Sequence, residues 1–421
     1  MNKRLLLTLT LWAGGMLSSF AQNTLNLKEC IDLALKNSNR LKAENFSVNA
    51  ASKSAEIDYG YSLPRISGEL ATENRFLQPY NFGQIQAYVN ADWSLGDFLL
   101  KKGAAAHQNI ETERLLRQQT RLNTVGKTSA IYMAVLLLDK QKEIYKTRLS
   151  FLKKHYALTQ SLWKAGIKTQ IDVLQTYSEI VKIQQDTVEI AAKTQALKVE
   201  LAHITGLKNS DGFSLKPFSM KNIVDGIFPV VDTQLINKNP LILAYNSKIE
   251  TQNLRVKESS AQKYPHIFAG GGYVKDADPT GDGNYWRVNT GIAVPLYYGD
   301  ILNRNIELSK IKREELVWQK REVQRQLTIK LEQITAKLHR LRELISLQEK
   351  QLEIAKNTLE LSEVNYKAGL ITNLEFLVAQ NGYVTTRLSI EKSRLDYVMK
   401  LISFYVITGS IDKIEELGTR Y

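Results

Sequence analysis

The feature that most constrains this chain of 421 residues is an internal duplication. The segment KAGIKTQIDVLQ, which begins at Lys164, returns as KAGLITNLEFLVAQ, which begins at Lys367. Other short segments recur in the same order and at nearly the same offset: 37–41 with 237–241, 63–66 with 264–267, 93–97 with 296–300, and 203–206 with 406–409. Recurrence at a fixed offset indicates one structural unit present more than once. We therefore expect two structural repeats, residues 22–231 and residues 232–421.

The segment before the first repeat has the pattern of a secretory signal peptide. Lys3 and Arg4 precede an apolar run at 5–12, and small residues follow as far as Ala21. Export signals share this order of basic, apolar and small residues. We expect residues 1–21 to be removed and the remainder to be exported. No apolar run in that remainder approaches the roughly 20 residues of a membrane-spanning helix.

Helical periodicity covers most of the remaining chain. Apolar spacing predicts helices over 27–61, 98–165 and 171–205, and again over 233–263, over 301–368 and from the turn at Gly369 to 407. A helix of about 68 residues is about 100 Å long, which exceeds the width of a globular domain. The second long helix also carries a heptad pattern typical of a coiled coil, formed by Leu327, Leu331, Ile334, Leu338, Leu341, Ile345, Leu352 and Leu359. The sequence predicts a rod in which each long helix packs along two shorter helices placed end to end.

Two pairs of strands interrupt the helices, one pair in each repeat. Alternation of apolar and polar residues predicts strands over 66–76, 85–95 and 284–297, with a loop over 276–283 before the last. A soluble hairpin resting on the helices would alternate in this way. A membrane barrel with a wet interior would do so too, and it would need several chains because four strands do not close. Export and the duplicated hairpins favour the barrel.

Composition and residue spacing argue against several other classes of protein. The formal net charge is +13, but the basic residues are spread along the helices, and we expect no binding of nucleic acid. The chain has one cysteine and five histidines, and none of them has the spacing of metal ligands. We find no candidate nucleophile or pair of catalytic acids. The sequence therefore predicts no enzyme activity, no metal and no cofactor.

The mature start LNLKECIDLALKNSN, the strand entries after Leu63 and Tyr264, and the tip sequences near Lys164 and Lys367 resemble the TolC-like outer-membrane factor family, the outer membrane efflux proteins. The resemblance covers essentially the whole mature chain. It implies a mainly α fold with a small β part. Duplicated coiled-coil hairpins would form a trimeric periplasmic α-barrel, and four strands per chain would contribute to a shared twelve-stranded outer-membrane β-barrel.

The resemblance also implies a function and partners. The chain would be the outer-membrane exit duct of a tripartite efflux or type I secretion system in a Gram-negative bacterium, extending into the periplasm. Its partners would be two further copies, a periplasmic adaptor, an inner-membrane pump and outer-membrane lipid. An alternative is a periplasmic coiled-coil adaptor or scaffold, although two equivalent hairpins and four long strands argue against it. The sequence does not define the cargo.

Two groups of residues carry the implied mechanism. The adaptor-docking tips are Lys164, Ala165, Gly166 and Ile167 in the first repeat and Lys367, Ala368, Gly369 and Leu370 in the second. The residues matching the family's periplasmic aperture are Glu375, Asp172 and Tyr366. Plain helical hairpin turns, and first-turn acids favoured by the helix dipole, are the structural alternatives. Ile371 stands where the family has a basic latch residue, so we expect no salt-bridged latch of the familiar form.

Overall fold

The computed structural model describes residues 23–77, 80–99, 101–210, 212–230, 232–276 and 284–420. The predicted signal peptide and nearly all of the predicted loop at 276–283 lie outside these residues. Within the described residues, no helix is both long enough and apolar enough to cross a membrane.

A helix, a β-hairpin, a long helix and a return helix occur twice in this order along the chain. The first half contains β1 (Asn23–Leu25), α1 (Leu27–Asn37), α2 (Asn39–Gly60), β2 (Arg65–Leu77), β3 (Tyr80–Ser94), α3 (Leu95–Leu99), α4 (Ala104–Lys164), α5 (Gln170–Thr205), β4 (Phe213–Leu215) and α6 (Met220–Gly226). The second contains a 3-10 helix (Thr233–Lys238), α7 (Pro240–Ala261), β5 (His266–Asp276), β6 (Tyr285–Ala293), α8 (Ile301–Lys367), α9 (Asn373–Thr408) and α10 (Ile411–Arg420). The predicted mainly helical fold with duplicated hairpins and a small β part is confirmed.

The long helices pack as the rod prediction requires. Helix α4 lies along α2 and α5, and α8 lies along α7 and α9. Helix α8 has 67 residues, which corresponds to about 100 Å at 1.5 Å per residue. The heptad seam is its inner face, because Leu331, Leu338, Leu341 and Ile345 are buried.

Several predicted bounds were wrong. The strand predicted over 85–95 begins earlier, at Tyr80. The helix predicted over 27–61 is divided at Ser38, whose Oγ accepts a hydrogen bond from the Leu41 N–H at 3.2 Å and caps α2. The helix predicted over 233–263 is divided at Asn239, which caps α7 in the same way. The strand predicted over 284–297 ends at Ala293.

The first long helix also begins later than the predicted residue 98. Lys101 and Gly103 have φ angles of 52° and 91°, which separate α3 from α4. The first turn of α4 is closed by a side chain from the second repeat. Glu258 of α7 accepts hydrogen bonds from the N–H groups of Gly103 and Ala105 at 3.0 and 3.1 Å. A distant residue therefore fixes this boundary.

The main hydrophobic core lies near the middle of the rod, where α1, α4, α5, α6, α8, α9 and α10 meet. Cys30 is fully buried in this core, and desolvation raises the pKa of its thiol to about 12. A thiol with so high a pKa carries almost no thiolate at neutral pH, so Cys30 is an inert packing residue.

The four long strands form one antiparallel sheet in the order β2-β3-β5-β6. One face of the sheet is apolar and exposed to solvent in the single chain. On this face Ile66 is 76% exposed and Trp286 and Val288 are each 78% exposed. The opposite face carries polar residues such as Glu69 and Asn90, as the alternation predicts. The sheet therefore presents two chemically different faces.

Candidate functional site

Both hairpin tips are closed by a glycine in the left-handed region. Gly166 and Gly369 have φ angles of 75° and 78°, a conformation that costs other residues steric strain. The next N–H closes a Schellman-type turn onto the preceding helix, from Ile167 to the Leu162 carbonyl and from Leu370 to the Asn365 carbonyl, each at 2.9 Å. All eight predicted docking residues lie at these turns and are exposed: Lys164, Ala165, Gly166, Ile167, Lys367, Ala368, Gly369 and Leu370.

The two predicted aperture carboxylates occupy equivalent places, three residues after the caps of α5 and α9. Asp172 accepts hydrogen bonds from the N–H and hydroxyl of Thr169, both at 2.9 Å. Glu375 accepts the same pair from Thr372, at 2.7 and 2.9 Å. These are capping boxes. The hydrogen bonds from Thr372 lower the pKa of the exposed Glu375 carboxyl, so it is ionised at neutral pH.

Asn373, beside Glu375, joins the two tips. Its side chain is fully buried, and its amide nitrogen lies 3.0 Å from the Asp172 carbonyl oxygen and 3.3 Å from the Thr176 hydroxyl of α5. Its amide oxygen lies 2.8 Å from Nε2 of His155 on α4. An amide oxygen can only accept, which assigns the proton of the neutral imidazole to Nε2. One side chain thus links the starts of α5 and α9 with the end of α4.

His155 and Tyr366 fill the space between the two hairpins. The ring centroid of His155 lies 4.9 Å from that of Tyr366 and 4.4 Å from that of Phe376. Desolvation lowers the pKa of His155, which favours the neutral imidazole. Tyr366 is only 2% exposed, and its hydroxyl lies 3.2 Å from that of Thr159.

Lys168 of the first tip reaches the Tyr366 ring of the second. Its Nζ lies 4.6 Å from the ring centroid, a cation–π distance. Contact between the tips in one protomer is therefore made by an aromatic ring, an amide and an imidazole. The resemblance pointed to Tyr366 but missed His155 and Asn373. One pattern could have identified His155. It lies three residues after Leu152 and four before Thr159, a spacing that puts all three on one face of a helix.

Within the described residues, no three His, Cys, Asp or Glu side chains come together as a metal site. The tips are instead built from two short turns, two capping boxes and the polar contacts between them.

The fold is that of outer-membrane channel subunits. CusC superposes with a TM-score of 0.81 over 92% of both chains at 16% sequence identity. VceC from Vibrio cholerae superposes with a TM-score of 0.75 over 91% of this chain and 96% of that chain, also at 16% identity. The CmeC outer membrane channel of Campylobacter jejuni gives 0.77 over 91% of this chain and 86% of its own, at 15% identity. Similarity at these identities shows a shared fold.

The sequence relationship is more specific than the fold. The profile of the outer membrane efflux proteins matches residues 30–207 and 233–410, and the chain belongs to that family. The pyoverdine export outer membrane protein OpmQ of Pseudomonas putida is 22% identical, covering 91% of this chain and 85% of its own length. The outer membrane protein OprJ of Pseudomonas aeruginosa is 21% identical, covering 85% and 78% respectively.

Membership confirms the resemblance seen in the sequence. The family and its structural neighbours are passive channels, so the chain is not an enzyme. It is an outer-membrane protein of a Gram-negative bacterium. The alternative of a periplasmic adaptor or scaffold is not supported, because the match to the channel family spans both repeats.

Proposed function

We propose that this protein is the outer-membrane exit duct of a tripartite efflux or type I secretion system. Three copies form a continuous tunnel, with twelve pooled strands in the outer membrane and twelve helical segments across the periplasm. A periplasmic adaptor joins the tunnel to an inner-membrane pump, which supplies the cargo. The duct itself performs no chemistry and acts by conduction and gating.

The four-stranded sheet is the observation that carries the proposal. Its apolar face suits contact with lipid, and its polar face suits contact with water. Strands β2 and β6 are its two edges, and each pairs with only one described neighbour. Open edges do not occur in the hydrocarbon region of a bilayer, because unpaired backbone groups cost several kcal/mol each. Pairing of β6 with β2 of another copy removes every edge when the ring closes.

The hairpin tips are the proposed docking and gating region. Their eight exposed residues present Lys164, Ile167, Lys367 and Leu370 to an adaptor, with glycines that let the turns be tight. Glu375 and Asp172 line the periplasmic aperture, and three copies of each would attract cations there. The ring of Tyr366 is buried within one protomer, between the two hairpins. Tyr366 therefore stabilises the aperture by packing and does not line it.

Export and the repeat boundaries belong to the same proposal. Residues 1–21 act as the signal peptide, and residues 22–231 and 232–421 are the two structural repeats. The recurring order of helix, hairpin, long helix and return helix supports this division.

Membrane fractionation tests the proposed function most simply. The full-length gene is expressed in a Gram-negative host, the two membranes are separated, and the extracted protein is analysed with and without heating. We expect outer-membrane trimers that dissociate on heating and conduct ions in a planar lipid bilayer. Soluble monomers that do not conduct would contradict the proposal.

A further inference from the structure

One row of the polar face carries a glutamate, a tyrosine, a glycine and an arginine on four successive strands. Glu69 of β2 is opposite Tyr88 of β3, Tyr88 is opposite Gly272 of β5, and Gly272 is opposite Arg287 of β6. Alternation places all four on the face opposite the exposed apolar residues. The row therefore crosses the whole width of the sheet.

Gly272 leaves room for the Tyr88 ring to lie against the sheet. A Cβ built on Gly272 would collide with the Tyr88 ring and with the Ala87 carbonyl. The Tyr88 hydroxyl is held in addition by a hydrogen bond of 2.6 Å to Oε1 of Gln86. Tyr88 thus lies across β5, towards β6.

The next row on the same strand is built alike. A Cβ on Gly270 would lie 2.7 Å from Oδ1 of Asn90 and 2.6 Å from Oδ1 of Asn289. Tyr88 therefore lies over Gly272, and Asn90 and Asn289 lie over Gly270. The two glycines of β5 leave the space that these side chains occupy on the polar face.

Arg287 of β6 lies beside the Tyr88 ring. Its guanidinium carbon lies 5.7 Å from the centroid of the Tyr88 ring, within cation–π range. None of the ion pairs among the described residues includes Arg287, and its side chain is exposed. The ring positions the guanidinium, and no carboxylate among the described residues of the same chain forms an ion pair with it.

We propose that Arg287, positioned by Tyr88, is a specificity-determining residue of the strand-lined passage and a contact for anionic groups of passing solutes. The groups concerned are carboxylates, sulfates and phosphates, which a guanidinium binds by paired hydrogen bonds. Three copies supply three such cations at one level, and a ring of fixed charge raises the local concentration of counter-ions. The proposal rests on the proposed function, because it requires the polar face to line a passage.

Ion selectivity in planar bilayers tests the role of Arg287. The full-length protein and Arg287→Gln are compared by reversal potential in asymmetric KCl. We expect the Cl⁻/K⁺ permeability ratio to fall about twofold, the Boltzmann factor for a unit charge met at roughly 8 Å in a water-like dielectric. Lys275→Gln is the matched control. Lys275 lies on the same sheet but is opposite Ile85, on the apolar face, and its loss should leave the ratio unchanged.

Two further variants test the role of Tyr88. Tyr88→Phe retains the ring and should retain the selectivity of the original chain. Tyr88→Leu removes the ring while Arg287 keeps its charge, and we expect the Cl⁻/K⁺ permeability ratio to fall, but by less than in Arg287→Gln. If Tyr88→Leu behaves like Tyr88→Phe, the ring does not position the guanidinium.

A blocking experiment on the unmodified protein tests the same inference without any variant, so it is informative even if a variant fails to insert into the bilayer. Tripolyphosphate added to the side of the strands should reduce the current, and higher salt should relieve the reduction. Conducting channels that tripolyphosphate does not block, or an unchanged permeability ratio in Arg287→Gln, would overturn the inference and leave the proposed function intact. Absence of any conductance in the unmodified trimer would instead contradict the proposed function.

Discussion

Asn373 uses its buried amide to connect three helices at the end of the rod farthest from the sheet. Its oxygen faces His155, and its nitrogen faces the first turn of α5. A buried polar group of this kind stabilises one arrangement strongly because each lost partner leaves an unsatisfied group that costs about 1–3 kcal/mol. The tips are therefore held by a small number of groups, one of which titrates.

The titration of His155 predicts that the tips loosen in acid. Its pKa in the folded protein is lowered by burial, below the value of about 6.5 that an unfolded chain would have. The stability contributed by the neutral ring is present above that value and is lost as the pH falls towards the folded pKa. The hydrogen bond with Asn373 and the charge of Glu363 oppose this shift. We expect the protection factors of the tip amides, corrected for the intrinsic pH dependence of exchange, to fall on acidification below about pH 6.5.

Two histidine variants check the origin of this pH dependence. His155→Gln keeps a side-chain donor but does not titrate, so the fall in protection should disappear. His107→Gln removes an exposed histidine far from the tips and should leave the fall in protection in place. Equal pH dependence in His155→Gln and in the unmodified protein would show that another group is responsible.

Glu375 can act as a helix cap, as a charged group at the aperture, or as both. Only the role at the aperture requires its negative charge. Glu375→Gln keeps an oxygen that can accept from Thr372, but it removes the negative charge. If the carboxylate lines the aperture, we expect the variant to show higher single-channel conductance and a higher Cl⁻/K⁺ permeability ratio. Glu353→Gln, an exposed change on α8, is the control. If Glu375→Gln changes neither the current nor the selectivity, Glu375 acts only as a helix cap.

At the scale of elements, the long helices could be predicted from sequence more fully than their beginnings. The heptad pattern identified the buried residues of α8 because packing repeats along a coiled coil. The start of α4 could not be predicted, since it depends on the positive φ of Lys101 and on Glu258 from the other repeat. The contact between His155 and Asn373 joins residues 218 positions apart, and local periodicity contains no information about such a pair.

The heptad seam of α8 predicts a specific loss of stability. Leu338 is fully buried, and Leu338→Ala should lower the free energy of unfolding by about 2–5 kcal/mol through lost burial and a new cavity. Lys337→Ala, an exposed neighbour, should change it by less than about 0.5 kcal/mol. Thermal or denaturant unfolding in detergent measures both. A Leu338→Ala variant as stable as Lys337→Ala would show that the seam is not packed as described.

At the scale of the whole molecule, the two repeats are not independent domains. Strand β3 of the first pairs with β5 of the second, and α4 of the first packs against α7 and α9 of the second. The duplication and the two faces of the sheet were readable from sequence because both follow from residue order. The pairing of β3 with β5 could not be predicted from sequence, because the strands of the two repeats have similar alternating patterns and do not specify which strand pairs with which. Among the described strands of one chain, β2 and β6 each have one edge without a hydrogen-bonded neighbour.

Single-particle electron cryomicroscopy of the protein in lipid nanodiscs tests the central claim most directly. The account predicts three copies around a threefold axis, with β6 of each copy hydrogen-bonded to β2 of the next and the polar face of the sheet turned inwards. A particle without threefold symmetry, or one in which the apolar face lines the interior, would contradict it.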